Sequence, residues 1–216
     1  MSPFLLLLAL ESWIAGEILE ARLEARMNES RDVAVRLRYT LDAPVTDRID
    51  FSFLEIDGVA IEELAAFASG MPLAVKLEPR SGSKRSGSVG VPKDTNALEL
   101  RYVVRGGAER TEDLLRVQIP VAVLGLRIKE AMTGLFSSTV DLPDGLSVID
   151  GFPSHSAVSA DGIHRWELPL VPSFVAFRAS SEPLLLTPPR VATTAVVLLL
   201  VAMGLVGLRG ARASRP

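Results

Sequence analysis

The chain lacks cysteine altogether and has only two histidines and 6% aromatic residues among 216. Without cysteine there is no disulfide scaffold, no thiolate metal site and no thiol nucleophile. The histidines are His155 and His164, with Asp150, Asp161 and Ser154 nearby. A metal centre needs three or four ligands, and each imidazole needs a group to orient it. A serine nucleophile needs an adjacent base and an oxyanion hole. Two histidines near a turn fall short of both, and we expect them to be surface residues. Cationic excess is missing as well. Lys and Arg number 23 against 26 Asp and Glu, net −3, which argues against a generic grip on nucleic-acid phosphates.

Long apolar runs are also scarce, with one exception. Val191–Leu208, VATTAVVLLLVAMGLVGL, carries no charge over 18 residues. As a helix it spans roughly 27 Å, close to the hydrocarbon thickness of a bilayer. Arg209, Arg212 and Arg215 follow, and no acid occurs after Glu182. Cationic flanks stay cytoplasmic. The sequence therefore predicts a single C-terminal transmembrane helix, a basic cytoplasmic tail over 209–216, and a periplasmic or extracellular position for everything before the helix. Gly204, Gly207 and Gly210 would open a narrow groove for a neighbouring helix.

The rest of the chain fits that orientation. Phe4–Leu10, FLLLLAL, is an apolar run of signal-peptide size, with no Lys or Arg before it. Residues 1–16 are expected to be an export signal or an interfacial segment. From residue 17 to 189 there are 25 acids and 19 bases, whereas from Arg190 onward there are four Arg and no acid. An acidic exterior domain over 17–181 would thus be joined by a proline-stiffened linker, 182–190, to the helix.

Within 17–181 the dominant signal has period two. Leu19, Ala21, Leu23, Ala25 and Met27 alternate with Glu20, Arg22, Glu24, Arg26 and Asn28. Val33, Val35, Leu37, Tyr39 and Leu41 alternate likewise. Side chains of a strand point to opposite faces in turn, so these runs predict a long antiparallel hairpin. Further short strands are expected at 49–56, 73–78, 98–104, 115–124, 136–142, 146–149, 163–168 and 174–178. The four Asp-Gly pairs at 57, 144, 150 and 161 mark turns. Helical patterns are confined to Ile61–Ser69 and Arg127–Thr133. SGSKRSGS, 81–88, reads as a flexible polar tip. The expected class is all-β, an antiparallel sandwich with a sub-boundary near 125–134 and a second small sheet after Gly134 as a variant.

Motifs for chemistry are absent: no H-E-x-x-H, G-x-S-x-G, G-x-G-x-x-G or calcium loop occurs. Gly82–Gly87 has phosphate-loop spacing, but Ser88 stands where the lysine must be. No catalytic, cofactor or metal residue is therefore assigned. Two contact candidates remain. One is the basic stretch Arg80, Lys84, Arg85 and Lys93. The other is the aromatic set Trp166, Phe174 and Phe177, a docking face or part of the core. The expected function is that of a non-enzymatic accessory subunit, anchored in the lipid bilayer and docked on an integral-membrane assembly. A respiratory or photosynthetic complex is one example of such a host. A binding module for peptide or glycan in the cell envelope is the alternative, and a hydrolase using His155 or His164 is the remote one.

Overall fold

The alternation that follows Leu19 does form a hairpin. In the computed structural model, which describes residues 16–181 apart from 29–30, 57, 112–113, 131–133, 144, 153–156 and 159–163, strand β1 (Glu17–Met27) pairs antiparallel with β2 (Val33–Leu54). Ala21 faces Tyr39, Leu23 faces Leu37 and Ala25 faces Val35, and all six are buried. A register shift between Ile18 and Glu20 reverses the parity at the start of β1. Ile18 is therefore buried, and Leu19 points outward. The Asn28 side-chain oxygen accepts the Asp32 N–H at 2.8 Å and closes the turn.

The remaining strands in chain order are β3 (Ala60–Ala68), β4 (Met71–Leu73), β5 (Val75–Leu77), β6 (Lys84–Arg105), β7 (Ala108–Thr111) and β8 (Leu114–Pro120). Then come β9 (Val123–Leu124), β10 (Arg127–Ile128), β11 (Phe136–Asp141), β12 (Ser147–Phe152), β13 (Ala157–Val158), β14 (His164–Leu168) and β15 (Phe174–Ser180). The large sheet has the order β13-β14-β11-β1-β2-β6-β3-β4, with β10, β5 and β9 joined to β1, β6 and β2. The small sheet has the order β12-β15-β8-β7. Pairing is antiparallel except where β1 meets β10 and β11. The class is all-β, with one large and one small sheet. No helix among the described residues is long and apolar enough to cross a membrane. Residues 1–15 and 182–216 lie outside the described residues. They include Phe4–Leu10, the 182–190 linker, Val191–Leu208, Gly204, Gly207, Gly210, Arg209, Arg212 and Arg215.

Several local expectations are corrected. Ile61–Ala68 belongs to strand β3, not to a helix, and Ser69 begins the turn after it. A bulge lies between Glu62 and Ala65, with Glu63 at φ 52°. It moves burial from the parity of Ile61 to that of Ala66 and Ala68, and so imitates a helical spacing. Of Arg127–Thr133, the first two residues form β10 beside Glu17 and Ile18, and 131–133 lie outside the described residues. Asp150-Gly151 sits inside β12 rather than at a turn. The small sheet does not begin after Gly134. It takes β7 and β8 from before that point, while β11, just after it, joins the large sheet.

The largest difference concerns 81–88. Only Ser81–Ser83 turn, and from Lys84 the chain is strand. β2 and β6 are each 22 residues long and pair from Val33 opposite Val104 to Leu54 opposite Lys84. Register shifts between Thr40 and Asp47 absorb Pro44, which has no ladder partner. Gly87 explains the misleading composition. A Cβ there would stand 2.6 Å from the Phe51 ring and 2.9 Å from the Lys76 carbonyl oxygen. The glycine admits an aromatic ring and the β5 backbone, and is not there for flexibility.

The two sheets meet in one apolar cluster, with Leu37, Leu100 and Phe136 from the large sheet and Val117, Ile119 and Val175 from the small. Trp166 of β14 stacks on Phe177 of β15, with ring centroids 5.4 Å apart. The Tyr39 hydroxyl donates to the Ala122 carbonyl, and the Tyr102 hydroxyl to that of Pro120 at 2.6 Å. Burial raises both phenols well above their ordinary pKa and keeps them protonated donors. Gly87→Ala should cost about 1–3 kcal/mol, seen as a lower urea midpoint. A midpoint equal to wild type would mean that 84–88 is the loose loop its composition suggests.

Candidate functional site

The large sheet buries one face and leaves the other open, and its register sets charged side chains in rows across that open face. Asp141 (β11), Arg26 (β1), Ala34 (β2) and Val103 (β6) form one row. Thr139, Glu24, Arg36 and Arg101 form the next. Ser137, Arg22, Arg38 and Glu99 form the third. These residues are the outward parity of strands whose inward parity is Leu23, Leu37, Leu100 and Tyr102, so the same alternation makes both core and surface.

Glu99 is the hub. Its Oε2 accepts from Arg36 Nη2 at 2.9 Å and Arg38 Nε at 2.7 Å, and its Oε1 from Arg101 Nε and Nη2, each at 2.6 Å. The Glu99 side chain is only 14% exposed. Burial alone would raise its pKa, but the three guanidinium groups outweigh that and hold it at about 2. Arg101 also lies over the Phe67 ring of β3, 4.4 Å from its centroid. Farther out, Arg26 pairs with Asp141, and Arg105 bridges Asp32 and Glu62.

Beside this hub lies a hollow of about 520 Å³. Ala34 and Val103 make its floor, and Arg26, Arg36, Arg101 and Glu24 stand among its walls. A second hollow, about 510 Å³, continues over β1, β11 and β14, and shares Glu24 and Thr139 with the first. Together they form a trough across the open face.

The residues singled out from sequence lie elsewhere. Arg80 and Arg85 converge on Glu55, which is 1% exposed. Glu55 accepts the Ile61 N–H at 3.0 Å, Arg85 Nη1 donates to the Ile61 carbonyl at 2.7 Å, and Arg80 Nη2 to the Glu55 carbonyl at 3.1 Å. These two arginines thus tie the 55–61 connection to the 80–85 turn. Lys84 and Lys93 are exposed on β6, apart from that pair. Trp166 and Phe177 are core residues. Phe174 is half-buried against exposed Phe152, with centroids 5.2 Å apart. His164 lies in β14 opposite Val140, and His155 is outside the described residues. Among the described residues, no group of three or more His, Asp or Glu could hold a metal ion. Arg36, Arg38, Glu99 and Arg101 appear in the sequence only as outward positions of R-L-R and E-L-R. Their convergence depends on register, which one sequence does not carry.

No family model matches the chain, and no curated protein matches it in sequence. Among solved structures it is similar to leukotriene A4 hydrolase from Saccharomyces cerevisiae, at 11% identity and TM-score 0.47, over 77% of this chain and 29% of that one. It is also similar to an M1 zinc metallopeptidase from Deinococcus radiodurans, at 14% identity and TM-score 0.40, over 77% of this chain and 42% of that one. The chain thus spans well under half the length of either protein. At these scores neither likeness carries an argument about what the chain does.

The Glu99 hub predicts a pH dependence. A carboxylate whose pKa falls from 4.5 unfolded to about 2 folded stabilises the fold above the unfolded value and loses that contribution as pH drops from about 4.5 toward 2. The arginines are part-exposed, so solvent screening reduces the effect to about 2 kcal/mol. Urea midpoints at about pH 6 and about pH 3 should differ more for wild type than for Glu99→Gln. Identical differences would refute the hub.

Proposed function

We propose that the chain is a non-enzymatic, membrane-tethered accessory subunit whose sandwich domain lies in the periplasm or outside the cell and docks on a larger membrane assembly. The observation that carries this reading is the open face of the large sheet, a trough walled by guanidinium and carboxylate groups. Complementary charge of this kind sets partner choice and docking register. The uncharged Val191–Leu208 and the arginines after it support a single-pass anchor with its C-terminus in the cytoplasm. Tethering raises the effective concentration of the domain at a partner in the same membrane, so a modest contact suffices.

A cell-envelope module recognising peptide or glycan is the second reading, favoured by the size of the hollow, which suits a small ligand. The charged character of the walls favours a protein partner over a sugar.

Affinity purification of the tagged full chain in mild detergent should bring down a membrane partner in fixed ratio. Arg38→Glu with Arg101→Glu should lose it. Migration as a lone monomer would overturn docking. The cysteine-free sequence also allows clean labelling. Ser83→Cys should react with an impermeant maleimide on intact cells, and Ser214→Cys only after lysis. The opposite pattern would overturn the orientation.

A further inference from the structure

We propose that the hollow over Ala34 and Val103 receives a single carboxylate side chain from an extended segment of a protein partner, with Arg36 and Arg101 as its cationic walls. This deepens the docking reading above and rests on it. Acceptor capacity is the first argument. A carboxylate offers about four lone-pair sites, and both oxygens of Glu99 already take two N–H donors each. Three part-exposed guanidinium groups carry about fifteen N–H donors, so Glu99 leaves most of them to solvent or to an incoming acceptor.

Shape is the second argument. Ala34 occupies an outward position between Arg26 and Val103, one residue pair away from the long side chains of Arg36 and Arg101. The missing side-chain volume opens the hollow beside Arg36 and Arg101. An incoming residue can lay methylenes on Ala34 and Val103 while its carboxylate meets the guanidinium groups, a geometry suited to forked arginine recognition.

The acids at the rim set the specificity. Glu24 and Glu63 border the hollow, and Asp141 does so while paired with Arg26. A polyacidic run would be repelled by Glu24 and Glu63. One Glu or Asp flanked by small and basic residues fits all the walls, because its basic neighbours face those acids.

The test uses the full chain in detergent micelles and fluorescein-labelled Lys-Ala-Glu-Ala-Lys, with Lys-Ala-Gln-Ala-Lys as control, read by fluorescence anisotropy. Saturable binding of the glutamate peptide, at least ten-fold tighter than the glutamine peptide, is expected. Arg36→Gln and Arg101→Gln should each weaken it at least ten-fold. Arg48→Gln, which breaks an exposed pair with Asp50, should not change it. Ala34→Leu fills the floor at an exposed position and leaves every arginine in place, so it should block binding even if an arginine variant folds poorly. Equal affinity for both peptides, full binding by Ala34→Leu, or saturation by inorganic phosphate without peptide binding would overturn the proposal. A partner that still copurifies while the peptide fails to bind sinks this inference alone, whereas a lone monomer sinks the docking reading.

Discussion

The pairing of β2 with β6 is the constraint on which the other elements depend. Two strands of 22 residues pair from Val33 opposite Val104 to Leu54 opposite Lys84, interrupted between Thr40 and Asp47, and nearly everything else is added to their edges or faces. β1 extends the ribbon on one side and β3 on the other, while β5 and β9 join its far half. An irregular ribbon could not do this. Its bends are confined to the bulges around Asp47 and Asp94, both at positive φ, a conformation that aspartate tolerates better than most residues. From Val33 to Leu41 and from Leu98 to Val104 the alternation stays intact.

That alternation gives the ribbon two chemically distinct sides. Leu37, Tyr39, Leu100 and Tyr102 face the small sheet, and the two phenols anchor the backbone at the end of β8. Arg36, Arg38, Glu99 and Arg101 face away. A shift of one residue between β2 and β6 would bury the arginines and expose the leucines. The core therefore fixes the geometry of the charged hub: the arginines meet on Glu99 because the leucines beside them meet in the interior. Trp166 on Phe177 extends the same interior from β14 to the small sheet.

How much of this was legible in the sequence follows from where the alternation is unbroken. The β1–β2 hairpin could be read because Ala21 to Met27 and Val33 to Leu41 keep a strict period of two. The first half of β6 could not, because Gly87 and its serine neighbours have the composition of a linker, although Gly87 serves close packing. The β3 sequence imitates a helix because the bulge at Glu63 shifts parity once and produces an apparent 3.6-residue spacing. The membership of the small sheet is not legible in the sequence, since its strands come from both sides of β11. The Glu99 hub lay beyond reach for a different reason. Arg36 and Arg38 are recognisable as outward-facing from the alternation around them, but their partners Glu99 and Arg101 depend on long-range register.

The parallel contact of β1 with β11 has a consequence for the order of assembly. β1 meets β2 across a short turn, yet its other edge waits for Phe136 to reach Ala21. A ribosome or a translocation channel delivers that partner only after more than a hundred further residues. Until then the first hairpin presents an open row of backbone donors and acceptors, the kind of edge on which nascent chains stick to one another. Its outward Arg22, Glu24 and Arg26 give that edge charged guards during the wait. The distant closure predisposes the domain to fold slowly and late, once nearly all of it has emerged.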